Sequence, residues 1–215
     1  LANRELTAPD TWEVRLSSGK DKKSTFTDLL NENKLGKLAL VRNLRNMNDS
    51  GVSKELVKEK LLRNKQQLLP FQFIAAAKEC PAWEDIVDES MIESKASYPK
   101  LKGNTSIFVD VSGSMDHGLS GKSKMNRMDA ACGIAMLLRE VCENVEVLTF
   151  SEALSIVPNR RGMALRDAIV KSQMHSGTYL GKALQCYLAN GKPIERKIER
   201  VVVITDEQVA DAIPQ

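Results

Sequence analysis

Aromatic residues are scarce in this chain: Phe, Tyr and Trp together make up 5% of 215 residues. A surface that grips single strands by stacking successive bases on aromatic rings is therefore not expected. Histidine occurs twice, as His117 and His175. The four cysteines, Cys80, Cys132, Cys142 and Cys186, stand far apart without a CxxC pair, which excludes a zinc-ribbon pattern and a dense disulfide framework. They are read as reduced core residues. No apolar run approaches the roughly 18 residues needed to span a bilayer, and "LANRELTAPD" has no apolar leader segment. No membrane partner is expected, and the expected location is cytoplasmic.

Charge is present in quantity but nearly balanced, with a formal net value of +3. Its distribution is uneven. Between residues 15 and 65 there are 13 Lys and Arg against 6 Asp and Glu, a surplus of +7, whereas residues 79–93 hold six acids and no base. A basic segment followed by an acidic one gives an asymmetric surface whose basic part can meet phosphates.

The two halves of the chain follow different patterns. In the first, Phe26, Leu29, Leu30, Leu35, Leu38, Leu40, Val41 and Leu44 recur at helical spacing. Ser53 precedes "KELVKEKLL" as a helix cap, and Pro70 marks the break before "FQFIAAAKEC". This succession of short amphipathic helices reads as a piece of an α-helical solenoid, without a repeat of fixed length. The segment "SKASYPKLKGN" reads as a linker, and a boundary near Lys102 divides the chain into 1–102 and 103–215. Beyond it, strands are expected over 105–111, 145–150 and 201–205, and helices over 127–142 and 180–190. "VEVLTF" and "RVVVIT" are the continuous apolar runs of strands covered on both faces. The second half is thus expected to be a three-layer, doubly wound α/β domain, with its ligands at the carboxyl ends of the strands.

Those strand ends carry oxygen. Asp110 closes the first strand and Ser112 and Ser114 follow in the turn, with Gly113 between them expected to let the backbone curl tightly. Thr178 stands in "HSGTYLG" ahead of a helix, and Asp206 follows "RVVVIT". Two carboxylates and three hydroxyls are hard donors that suit Mg²⁺ or another hard divalent cation such as Mn²⁺, with no thiol or imidazole involved.

"DVSGSM", "SGT" and "ITDEQ" together resemble the metal-ion-dependent adhesion site of von Willebrand factor type A domains. The resemblance implies that Asp110, Ser112, Ser114, Thr178 and Asp206 hold the cation directly or through water. Tyr179 departs from the family, many of whose members have an aspartate after the threonine. "LALVRNLRNM", then "LLPFQFIAAAKE", then "IFVDVSGSM" resemble in order and spacing the Ro autoantigen family, whose TROVE module packs HEAT-like helical repeats beside a type A domain. What the resemblance implies is the end of the helical ring joined to the front of the metal domain, as a fragment or a natural short form. It also implies a non-enzymatic role in binding noncoding RNA, Y RNA or the single-stranded ends of misfolded RNA.

For such RNA, Arg42 and Arg45 are the first candidates, three residues apart and so on one helix face, because guanidinium groups grip phosphate in bidentate fashion. Lys20, Lys22 and Lys23 form a nearby loop cluster. Phe71 and Phe73 are assigned to the core. The alternative reading is a metal-dependent protein-interaction module in which a partner carboxylate completes the cation's shell. Two enzymatic readings fail on the residues. "GLSGKS" has Asp116 where a phosphate-binding loop needs glycine, and the serines lack the GxSxG elbow that would make them nucleophiles served by His117 or His175.

Overall fold

The computed structural model describes residues 9–96, 98–121, 123–191, 197–208 and 210–211. Most of the stretch read for a leader, and Lys122 of "GLSGKS", lie outside them. The first half forms α1 (Trp12–Ser17), α2 (Lys22–Asn31), α3 (Lys37–Arg42), α4 (Leu44–Asp49), α5 (Lys54–Arg63), α6 (Pro70–Glu79) and α7 (Glu84–Lys95). Local chemistry starts several of them. Asp21 caps α2 by accepting the Ser24 N–H at 2.8 Å, and the Ser53 hydroxyl accepts from Leu56 at 3.3 Å at the start of α5. Pro70 takes the first position of α6, where its missing N–H is no loss.

The second half runs β1 (Leu101–Asp110), α8 (Arg127–Val141), β2 (Cys142–Phe150), β3 (Leu154–Ile156), α9 (Gly162–Val170), α10 (Leu180–Ala189) and β4 (Arg200–Ile204). The sheet order is β3-β2-β1-β4, with β1 parallel to both β2 and β4 and β3 antiparallel to β2. Strand β1 begins at Leu101, inside the segment read as linker. Its alternation sorts the core into two layers. Ile107, Val109 and Val111 join the large cluster that includes α8, α9 and the helical half, while Phe108 joins Leu148, Phe150 and the α10 residues Leu180, Ala183 and Tyr187. Three layers result, and the helical half is fused to one of them through a continuous core.

That fusion is close. A Cβ at Gly133 of α8 would lie 3.3 Å from the backbone N of Phe71, so α6 meets α8 where a side chain is missing. Lys78 of α6 pairs with Asp129, which is buried and completes a reciprocal cap on α8: the Asn126 side chain accepts the Asp129 N–H at 2.8 Å and the Asp129 carboxylate accepts the Asn126 N–H at 3.0 Å.

Four expectations are corrected here. Strand β4 is covered on one face only: Val201 and Val203 are exposed and Ile204 is buried. Phe73 is buried as expected, but Phe71 is 43% exposed. Cys80, Cys132 and Cys142 lie in the interior, whereas Cys186 is exposed on α10. Lys22 and Lys23 form the first turn of α2, and only Lys20 belongs to the preceding loop; the Asp21 cap offsets the placement of two cations at a helix N-terminus.

Helix α9 has no side-chain cap of its own. Asp88 of α7 supplies one from across the core by accepting the Met163 N–H at 2.8 Å, and Gly162, at φ +58°, makes room for that carboxylate. Burial pushes the Asp88 carboxyl above its ordinary value; the Met163 N–H opposes this, and the nearby Glu84 and Glu140 add to it. The folded state therefore keeps a proton that the unfolded chain has released. Stability contributed by this site is greatest at low pH and falls as pH rises from about 4 through the raised value. Asp88→Asn retains the acceptor without the charge. Urea unfolding across pH 3.5–7 should show wild type losing stability relative to Asp88→Asn as pH rises, with no further divergence near neutrality.

Candidate functional site

Parallel pairing sets Val109 against Ile204, so the residues that follow, Asp110 and Thr205, leave the sheet side by side. Asp110 has no solvent exposure. Its Oδ1 accepts the Ser112 N–H at 2.8 Å and its Oδ2 accepts the Thr205 hydroxyl at 2.6 Å. Beyond it the chain enters a single 3-10 turn, Gly113–Asp116. The Ser112 and Ser114 hydroxyls lie 3.1 Å apart. Gly113 is not needed for this shape: its φ is not in the left-handed region, and a Cβ there would meet the Ser176 carbonyl at an ordinary 3.7 Å.

Two backbone hydrogen bonds stitch the neighbouring loops to this turn. The Gly113 N–H donates to the Ser176 carbonyl at 2.9 Å, and the Ala210 N–H donates to the Thr178 carbonyl at 2.8 Å. Ser151, after β2, holds the threonine loop from beneath: its hydroxyl donates to the Gly177 carbonyl at 3.0 Å and accepts from the Ser176 N–H at 2.9 Å. Thr178 is buried. Helix α10 follows directly and is capped from the last loop, where the Asp211 oxygens accept the Gly181 and Lys182 N–H groups at 2.9 and 2.7 Å.

Asp206 completes the set with an imbalance. Its Oδ2 accepts from the Arg127 guanidinium at 2.6 Å, while its Oδ1 is buried and has no partner. A buried carboxylate oxygen without a partner is costly. Cation chemistry suits this edge, since the five residues offer hard oxygen and a vacant lone pair. Among the described residues no group of three or more His, Cys, Asp and Glu is placed to hold a metal, so an ion here has to use the hydroxyls as well as the two carboxylates.

Among the described residues neither histidine hydrogen-bonds to the Ser112 or Ser114 hydroxyl. His175 Nδ1 lies 3.0 Å from Asp116 and Nε2 lies 2.9 Å from the Val170 carbonyl. Burial disfavours its charged form, but the hydrogen bonds to Asp116 and Val170 and the Asp116 charge prevail and raise its pKa. His117 Nδ1 meets the Ser114 carbonyl at 2.9 Å, not its hydroxyl. Residues 118–121 and 123 belong to a loop pinned by the Leu119 N–H to Met125 carbonyl bond at 3.0 Å.

On the helical half, Arg42 and Arg45 do not share one helix. Asn43, at φ −104° and ψ 8°, ends α3 and starts α4 between them. Arg45 pairs with Glu79 at 2.7 Å, and Lys124 pairs with the same carboxylate at 2.9 Å. Arg42 is exposed and has no ion-pair partner among the described residues. It lines a cavity of about 360 Å³ with Leu38, Phe71, Glu79, Leu119 and Met125. Lys20, Lys22 and Lys23 are exposed. Thr205, Arg127 and Asp211 escaped the sequence reading, although Thr205 adjoins Asp206 at a strand end and was within reach of it.

Comparison with known proteins places these features. Residues 3–82 match the TROVE domain and residues 105–212 match the Ro60 vWA domain. The chain belongs to the Ro family. Over 136 residues, 59% of this chain, it is 32% identical to mouse (Mus musculus) telomerase protein component 1. The crystal structure of the Deinococcus radiodurans RO (RSR) protein superposes with a TM-score of 0.59 at 18% identity over 90% of this chain. The chain spans 43% of that Ro protein and 5% of the telomerase component. The shared fold accounts for the tandem order of helices and mixed sheet.

Thr205 is the test of the local geometry. Thr205→Val keeps the shape and leaves Asp110 Oδ2 without its donor. Unfolding in the presence of a chelator should show a loss of about 2 kcal/mol, in the range for a buried acceptor left unpaired; a change below about 0.5 kcal/mol would mean that the carboxylate does not depend on this hydroxyl.

Proposed function

We propose that this chain is a non-enzymatic RNA-binding protein of the noncoding-RNA class served by its family, Y RNA or single-stranded ends of misfolded RNA. Its type A domain would carry a hard divalent cation. The observation that carries the reading is the tandem of a TROVE match and a Ro60 vWA match on one continuous core. Among the described residues no helix is long and apolar enough to cross a membrane. The cytoplasmic location stays with this reading.

The RNA surface rests first on Arg42. Phosphate affinity needs cations that are not already neutralised, and Arg45 is engaged by Glu79. The Arg42 cavity has exposed Phe71 and Leu119 at its walls, which gives an unstacked base an apolar face next to a guanidinium. Lys20, Lys22 and Lys23 would add weaker, more distant attraction.

At the metal edge, Asp110 and Asp206 balance a dication, Ser112, Ser114 and Thr178 supply neutral oxygens, and water fills the rest of the shell. The orphaned Asp206 Oδ1 supports this assignment. Bound there, Mg²⁺ or Mn²⁺ supplies a positive centre for an RNA phosphate. The same open position would accept a partner protein's carboxylate, and the two occupants separate by salt and chelator. RNA held by basic side chains weakens steeply with salt, whereas a metal-bridged partner is released by EDTA at constant ionic strength.

Added Mg²⁺ should raise the melting temperature of wild type by about 3 °C over NaCl of equal ionic strength. Asp110→Ala should abolish that shift, and Arg127→Ala should enlarge it, because the guanidinium competes for Asp206. A wild type indifferent to Mg²⁺ would remove the cation from the proposal. For RNA, Arg42→Ala with Arg45→Ala should weaken binding of a single-stranded oligoribonucleotide by about tenfold and flatten the log–log salt slope by about 0.7 per lost phosphate contact. Most of the effect should appear in Arg42→Ala alone. Unchanged affinity and slope in the double variant would move the RNA surface elsewhere.

A further inference from the structure

Lys37 is the anomaly of the helical half. It sits in the first turn of α3 with 2% of its surface exposed. Its backbone N–H donates to Gln66 Oε1 at 2.9 Å, but among the described residues the ammonium has neither a hydrogen-bond acceptor nor a carboxylate partner. Its Nζ lies 5.7 Å from the centroid of the Phe73 ring, a distance at the outer limit for cation–π attraction. A second buried lysine nearby shows what satisfaction looks like: Lys95, 1% exposed, donates to the Leu68 carbonyl at 2.6 Å and lies over the Tyr98 ring at 4.8 Å. The Lys37 stem is buried but its ammonium is only partly withdrawn from water, so the missing partner carries part of the cost of a desolvated charge.

The unpaired cation borders space. Lys37, Lys65, Asn64, Gln67, Ser94 and Glu93 line a cavity of about 370 Å³. Two ammonium groups face one carboxylate around it, and Lys95 adds positive potential from behind. Burial pushes the Lys37 ammonium down to a pKa of about 8, the charges of Lys95 and Lys65 push the same way, and Glu93 opposes them. The lining therefore carries a surplus of positive charge.

We propose that this cavity is a binding site for a phosphate monoester, with the Lys37 and Lys65 ammonium groups as its cationic partners and the Asn64 and Gln67 amides as neutral donors. A phosphate dianion matches two ammonium groups in charge and offers an acceptor for each donor. The volume accommodates the phosphate and an attached sugar. Nothing in this assignment depends on the type A domain's cation or on Arg42, which line other surfaces.

The test uses the full chain with inorganic phosphate, a short 5′-phosphorylated oligoribonucleotide and the same oligonucleotide with a 5′-hydroxyl, each against chloride at equal ionic strength. Millimolar phosphate should raise the wild-type melting temperature by about 3 °C. Lys37→Met should melt at or above the wild-type temperature, because it removes the unpaired charge, and should lose the phosphate response. Lys65→Ala, at an exposed position that tolerates change, should reduce apparent affinity several-fold. A larger response to the 5′-phosphorylated strand than to inorganic phosphate, absent with the 5′-hydroxyl strand, identifies the source as an RNA terminus; equal responses identify a free phosphate or small phosphomonoester. No wild-type response beyond chloride in any arm, or a full response in Lys37→Met, would overturn the proposal. Persistence of phosphate binding while Mg²⁺ binding or Arg42-dependent RNA binding fails would separate this site from the function proposed above.

Discussion

A carboxylate with no solvent exposure at the end of the central strand is the constraint around which the second half is arranged. Asp110 can remain there only if its oxygens are occupied, and the groups that occupy them come from two directions: the Ser112 N–H in the turn that follows and the Thr205 hydroxyl from the neighbouring strand's end. Parallel pairing of β1 with β4 brings the second donor, so sheet topology and buried charge require each other. The remaining loops then close by backbone hydrogen bonds, Gly113 to Ser176 and Ala210 to Thr178, which leave the hydroxyls of Ser112 and Ser114 adjacent and one Asp206 oxygen without a partner.

The helical half takes part in this arrangement through packing. Helices α6 and α7 share their apolar faces with α8 and α9, the Lys78–Asp129 pair reinforces the contact, and Asp88 caps α9. Helix α8 also supplies Arg127 from its first residue, and that guanidinium holds Asp206. A shift of the helical half that moved α8 would therefore reach Asp206 through Arg127. The proposed RNA surface on the helices and the proposed cation at the sheet edge have α8 as a common neighbour.

Much of this was legible in the sequence. Continuous apolar runs ending in an acid identified β1 and β4, and the oxygen donors at their ends pointed to one edge, because strand direction alone determines where such residues emerge. What was missed depended on distant partners. Strand β3 is three residues long, too short to carry a period, and α9 has no local cap because Asp88 supplies it. Arg42 and Arg45 fit one helical face by spacing, yet Asn43 divides them and Glu79 claims one of them. Phe71 and Phe73 stand two apart in α6 and so on different faces, and how α6 docks into the core decides which face is covered. Lys37 in "GKLALV" looks like any surface lysine; its burial comes from the later segments that close over it.

Manganese-soaked crystals, with the anomalous difference map calculated at the three loops, test the central claim most directly. The account predicts a peak bounded by Asp110, Ser112, Ser114, Thr178 and Asp206, with Asp206 Oδ1 turned toward it. A flat map there at millimolar manganese, with Arg127 still fastened to Asp206 and the serine hydroxyls bonded only to each other, would contradict it.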